Sequence, residues 1–224
     1  MSQKLLFTSE SVSEGHPDKL CDQISDAILD SCLASDPKSR VAVETLATEE
    51  RIVIAGEITS NAKPDYEKIA RDVLRKVGYL TPESGIGADS CTIEVHIKNQ
   101  SNDIARGVDS SFDTKEIGAG DQGMMFGYAS DETANLMPLP IVMAHKLVRY
   151  ASVLRHEGKL PHSRPDMKAQ VTIDYTNKEE PRIDTVVFSC QHDEEIDIEH
   201  LRKMIKKDVI LPVAISFGMN TDFK

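Results

Sequence analysis

The order strand, helix, hairpin, helix occurs twice along this chain, and that recurrence narrows its fold more than any single motif. Leu5-Leu6-Phe7-Thr8 reads as a short strand, followed by a helix over 17–32 with apolar residues Leu20, Ile24, Ala27 and Ile28 at helical spacing. Residues 41–47 and 51–59 are rich in β-branched types and read as a hairpin around Thr48-Glu49-Glu50, with Val41, Val43 and Thr45 on one face. A second helix spans 64–77, opened by Pro64 and stopped by Gly78, and residues 91–97 form a strand. The order then restarts, offset by roughly 120 residues. Met124-Met125-Phe126-Gly127 is the strand, 138–156 the long helix, 169–175 with 182–190 the hairpin, and 196–210 the closing helix. The expected class is α+β, with two tandem units of repeated strand-helix-hairpin-helix-strand topology, each a mixed sheet with helices on one face. Boundaries fall at 1–103 for the first unit, 104–117 for a loop or linker, and 118–224 for the second. After residue 210 no clear strand follows, so the second unit is expected to lack its last strand, with Thr221-Asp222-Phe223-Lys224 as its beginning at most.

The chain has 224 residues with a formal net charge of −11, from 26 basic and 37 acidic side chains. That balance disfavours non-specific nucleic-acid binding, which needs clustered Lys and Arg. It suits a protein that meets anionic ligands through metal ions. Cys21, Cys32, Cys91 and Cys190 are scattered without a C-x-x-C, which suggests neither a disulfide framework nor a zinc site and makes a reducing cytoplasm the expected compartment. No run of 18 apolar residues occurs, so no membrane association is expected.

Gly15-His16-Pro17-Asp18-Lys19 stands at the mouth of the first helix. Pro17 suits the first turn, and the free N–H groups there can meet an anion. His16 can donate to a phosphate, and Asp18 can hold a Mg²⁺ that bridges phosphates. A plain helix start with an acidic first turn explains the same residues. Gly118-Ala119-Gly120-Asp121-Gln122-Gly123 allows close backbone approach to a ligand, yet it lacks the G-K-[ST] of a P-loop and opens no helix, as a dinucleotide fingerprint does. Asp121 there can bind an ammonium group or a metal; a flexible turn is the alternative. Arg164-Pro165-Asp166-Met167-Lys168 enters a strand, where Lys168 can reach a phosphate and Asp166 can accept from ribose hydroxyls, or the segment is a surface turn. Glu44 and Glu57 sit in apolar strands and face either solvent or a site. His145, His156, His162, His192 and His200 share no spacing and receive no metal role. No G-x-S-x-G or H-E-x-x-H is present.

Taken together, Gly15–Lys19, Val41-Ala42-Val43-Glu44-Thr45, Gly56-Glu57, Gln100-Ser101-Asn102-Asp103-Ile104-Ala105-Arg106-Gly107-Val108-Asp109-Ser110, Gly118–Gly123 with Met125-Phe126-Gly127-Tyr128, and Arg164–Lys168 resemble, in order and spacing, the bacterial S-adenosylmethionine synthetases. The likeness runs the whole chain. It implies a transferase that joins ATP and L-methionine, with the methionine sulfur displacing triphosphate from the ribose 5′ carbon and the triphosphate then hydrolysed to pyrophosphate and phosphate, assisted by Mg²⁺ and K⁺. By matched position it implies that His16 stabilises the leaving group and that Asp18 is a Mg²⁺ ligand. Glu44 supports K⁺, and Glu57, Gln100 and Asp121 contact methionine. Asp166, Met167, Lys168 and Ser189 contact ATP, with Lys168 on the phosphates, and Gln100–Ser110 is a mobile loop. The family works as homodimers or homotetramers with sites at subunit interfaces.

Asn102 stands where the family's loop usually has Pro, and Glu49-Glu50 where its hairpin turn commonly has Thr-Gly. The resemblance also implies a third domain of like topology, bearing a phosphate-binding Arg and Lys, that these 224 residues do not include. The chain by itself is therefore expected to have little or no synthetase activity. A non-catalytic binding or assembly fragment is the alternative, and another Mg-nucleotide phosphotransferase is disfavoured by the absent P-loop.

Overall fold

A computed structural model describes residues 4–99 and 123–223, and the loop 100–110 together with Gln100 and Asp121 lies outside them. Strand β1 (Leu6–Val12) leads into helix α1 (Pro17–Ser35), then β2 (Arg40–Thr48), β3 (Arg51–Thr59), helix α2 (Tyr66–Val77) and β4 (Thr92–Lys98). Helix α3 (Leu139–His156), β5 (Ser163–Asp174) and β6 (Arg182–His192) follow. The chain then closes with α4 (Ile198–Met204), a π-helical turn (Ile205–Ile210) and α5 (Leu211–Ser216). Two three-stranded sheets result, ordered β2-β3-β4 and β1-β5-β6. The first is mixed, with β2 antiparallel and β4 parallel to β3; both pairings of the second are antiparallel.

Helix α1 forms where a cap and a stripe agree. His16 holds the N-cap in an extended conformation, its Nδ1 accepting from the Asp18 N–H, and Pro17 fills the first turn. Leu20, Ile24, Ile28 and Cys32, four apart, are all buried. Each large apolar side chain so buried contributes about 1.5–3 kcal/mol relative to exposure. They pack on Ile52, Ile54 and Ile58 of β3 and on Ala70, Leu74 and Val77 of α2. Asp65 caps α2 by accepting from the Lys68 N–H, and Gly78 ends it at φ 102, with the Tyr79 N–H returning to the Leu74 carbonyl. The second core joins α3 and the closing helices to Met167, Ala169, Val171, Ile173 and Ile183. Each sheet is thus covered by helices on one face.

Three local expectations differ from the structure. β1 precedes the first unit in sequence but pairs with β5, Leu6 opposite Asp174 and Val12 opposite Lys168. Met124–Gly127 forms no strand; Met125 is 97% and Phe126 87% exposed, and among the described residues no strand lies alongside to complete their hydrogen bonds. The closing helix runs past Ile210 to Ser216. Pro212 lacks an N–H for the regular ladder, and the wider π turn before it carries the helix through. Residues 221–223 form no strand.

The turn at Glu49-Glu50 keeps the geometry that a glycine would adopt. Glu50 sits at φ 51, and its carboxylate accepts from the Gly87 N–H at 2.8 Å and the Ser90 hydroxyl at 2.9 Å, which offsets the backbone cost.

Candidate active site

The site begins with how the chain delivers His16. Ser13 is buried and stitched to β5: its N–H donates to the Met167 carbonyl at 2.9 Å, its hydroxyl donates to the Pro165 carbonyl at 2.7 Å, and it accepts from the Met167 N–H at 2.8 Å. Gly15 follows so close to β5 that a Cβ there would lie 2.3 Å from the Pro165 Cβ. The next residue, His16, therefore meets the start of β5 with little freedom. The helix N-terminus beyond it presents the positive end of the dipole, with the Asp18 N–H taken by His16 Nδ1 and the Leu20 N–H by the His16 carbonyl.

His16, Asp166, Met167, Lys168, Ser189, Cys190 and Gln191 line one cleft of about 320 Å³. Lys168 and Ser189 are directly opposed across the β5–β6 pair, which brings two widely separated segments to adjacent positions. Lys168 Nζ lies 3.0 Å from Glu10 Oε2 on β1, with both side chains substantially exposed. Such a pair is weak and is readily exchanged for a ligand anion. Burial pushes the Asp166 carboxyl above the usual carboxylate range, against a smaller opposing pull from His16. Burial likewise pushes the Cys190 thiol up to about 11, which keeps it protonated and unreactive at neutral pH.

The raised Asp166 carboxyl has a testable consequence. In the folded state Asp166 binds its proton more tightly than in the unfolded chain, so its own contribution to stability is greatest in acid and is lost as pH rises from about 4 through the folded-state value. Asp166→Asn removes that fall. The variant is expected to melt above the wild type at pH 7 and to match it more closely near pH 3, as measured by urea midpoints across that range.

The remaining site residues are distributed differently. The Asp18 carboxylate lies 3.7 Å from His16 Nδ1 and is 86% exposed beside the cleft rather than lining it. Glu44 lies in a separate cleft of about 380 Å³ between α1 and β2, with Asp22 and Asp26. Glu57 lies on the face of β3 away from the helices, in register with Ala42 and Lys98. Gln100 and Asp121 lie outside the described residues. A larger cleft of about 600 Å³, lined by Glu10, Glu14, His145 and Arg149 among others, contains none of the predicted site residues.

Two groupings escaped sequence reasoning. His162, at φ 64, donates from Nδ1 to the Asp193 carboxylate at 3.0 Å, with Glu195 nearby; this is the one group of three His, Cys, Asp or Glu side chains among the described residues with ligand atoms within 4.8 Å of one another. Gln191 donates to the Ser84 carbonyl at 2.9 Å while its Oε1 is buried without a protein partner, so it ties the turn after α2 to the cleft wall. Only the run Gln191-His192-Asp193 at and just past the end of β6 hints at either in sequence.

Comparison with known proteins is in keeping with this arrangement. The family described as S-adenosylmethionine synthetase, N-terminal domain, matches residues 4–102, and the family described as S-adenosylmethionine synthetase, central domain, matches residues 116–223. The chain is 57% identical over 218 residues to an S-adenosylmethionine synthase of Mesoplasma florum, taking in 97% of this chain and 57% of that protein. It is 53% identical to one of Mycoplasma capricolum over 99% of this chain and 57% of that protein. It is 50% identical to one of Clostridium botulinum over 94% of this chain and 56% of that protein. The chain thus spans a little over half the length of these relatives. With both domain families matched in order across nearly all its length, the chain belongs to the S-adenosylmethionine synthetase family.

Proposed function

We propose that this chain supplies the leaving-group side of a site in which the sulfur of L-methionine attacks the ribose 5′ carbon of ATP and displaces the triphosphate, which is then hydrolysed to pyrophosphate and phosphate. The observation that carries this reading is the convergence of His16, Asp166, Met167, Lys168 and Ser189, from three distant segments, on one cleft at a helix N-terminus. Displacement at carbon needs the departing charge stabilised in place. His16 donates to the departing 5′ oxygen, and Lys168 leaves Glu10 for a phosphate. Asp166, partly buried, accepts from a ribose hydroxyl, and Ser189 bonds the nucleotide beside it. Glu57, Gln100 and Asp121 take the methionine.

The donors present fit the two ions of the reading. Asp18 offers an exposed carboxylate beside the cleft, a hard oxygen ligand for Mg²⁺. Glu44 with Asp22 and Asp26 offers oxygen donors for K⁺. When bound, Mg²⁺ supplies charge neutralisation on the phosphate oxygens.

In this reading 1–103 and 118–224 are two domains and 104–117 is the loop between them, with Gln100–Ser110 mobile over the site. The working form is a homodimer or homotetramer in the cytoplasm, its sites shared between subunits. The described cleft offers only His16 and Lys168 against a triphosphate, so the 224-residue polypeptide by itself is expected to turn over little or not at all. Incubating it with ATP, methionine, Mg²⁺ and K⁺ and quantifying S-adenosylmethionine and phosphate tests this; turnover at the rate of a full-length relative refutes it. A second reading, a non-catalytic assembly fragment, is favoured by the exposed apolar run Met124-Met125-Phe126. Size-exclusion after mixing with a full-length relative separates the two, because only an assembly fragment co-elutes without adding activity.

A further inference from the structure

The turn that delivers His16 is held from a second side, by residues that take no part in the cleft. Arg155, in the last turn of α3, extends its Nη2 to Glu14 Oε1 at 2.9 Å and to the Val77 carbonyl at 2.6 Å. Glu14 Oε1 also bonds His156 Nε2 at 2.8 Å. One residue on, the Tyr79 hydroxyl donates to the Gly15 carbonyl at 2.5 Å. The Arg155 side chain is 11% exposed, and its Nε is buried without a partner. The guanidinium thus leaves one of its own donors unpaired while gripping Glu14 and the end of α2. Gly78, at φ 102, makes room for it; a Cβ there would sit 2.6 Å from Nη1.

We propose that Arg155 is a positioning residue for His16. Its planar head joins α3 to both the C-terminus of α2 and the carboxylate two residues before His16, so the imidazole meets the cleft in one orientation and one tautomer. The inference rests on the reading of the cleft as a triphosphate site. A residue that merely cemented the two units together would give the same contacts, so the test must separate positioning from stability.

The structure supplies a readout independent of any ligand. His16 Nδ1 accepts from the Asp18 N–H, so the neutral ring carries its proton on Nε2. In the ¹⁵N-labelled chain, wild-type His16 is expected to show the Nε2–H signature, and inorganic tripolyphosphate is expected to perturb it. Arg155→Ala is expected to shift the ring toward a mixture of tautomers and to weaken tripolyphosphate binding about tenfold, the scale of one charge-assisted hydrogen bond. Arg155→Lys keeps the charge but loses the fork and is expected to fall between, and Glu14→Gln to resemble it. These two conservative variants decide the matter if Arg155→Ala does not fold. A lowered melting temperature with an unchanged His16 signature and unchanged affinity in the folded variants overturns the proposal. If the wild type itself binds no tripolyphosphate, the nucleotide reading fails. The imidazole signature alone then judges the positioning role: a changed signature in the variants supports it, and an unchanged one overturns it.

Discussion

Replacing Gly15 by alanine is expected to lower the melting temperature by about 10 °C, a loss of about 3 kcal/mol at the upper end of the overpacking range. The added Cβ would lie 2.3 Å from the Pro165 Cβ and 2.5 Å from both the Pro165 carbonyl carbon and its oxygen. Two of those atoms are backbone, and the Pro165 carbonyl is already fixed by the Ser13 hydroxyl at 2.7 Å, so no flexible side-chain end can swing aside. Either β5 moves, carrying Asp166 and Lys168 with it, or the turn before His16 does. A thermal melt by circular dichroism reads the effect. Gly158→Ala is the control. Its φ of +70 imposes a backbone cost of about 1–2 kcal/mol, but nothing lies within 4 Å of the new atom. Equal losses in the two variants would show that close approach is not what Gly15 provides.

Replacing Lys168 by methionine is expected to weaken tripolyphosphate binding about tenfold at low salt and to flatten its salt dependence. The side chain stays unbranched as far as Cε, with sulfur in place of Cδ and no ammonium group, so the strand pairing with Ser189 is left in place. In the free protein that ammonium rests 3.0 Å from Glu10, and both partners are solvated, so giving up the pair costs little. Calorimetric titration at two salt concentrations measures both terms. An unchanged affinity would mean that Lys168 remains with Glu10 when the anion binds.

Much of the fold was legible because local signals agreed. Leu20, Ile24, Ala27 and Ile28 mark α1 by spacing alone, and all but the half-buried Ala27 are buried. The partner of β1 was not legible. Alternation tells which face of a strand is apolar, but not which strand it pairs with, and β5 lies more than 150 residues away. Met124–Gly127 misled for a related reason: an apolar run reads as a strand whether or not a neighbour completes its hydrogen bonds.

The site divides in the same way. His16, Asp166, Lys168 and Ser189 stood out in sequence through resemblance more than through their own pattern, since each segment alone had a bland explanation. Their shared cleft depends on contacts such as Ser13 to Pro165, 152 residues apart. Arg155 and Tyr79 carried no signal. An arginine in a helix's last turn is what the dipole favours anyway, and a tyrosine after a glycine cap is what a core accepts. Only tertiary structure shows that they grip the turn bearing His16.

Whether the His16 cleft receives the triphosphate of a nucleotide is decided by a site-resolved ¹⁵N titration of the chain with Mg·ATP. Saturable shifts are expected at His16, Asp166–Lys168 and Ser189–Gln191, with little change near Asp65–Arg75, whose cleft lies on α2. Absence of saturable shifts at the first group, or a response confined to the second, would contradict a triphosphate site there.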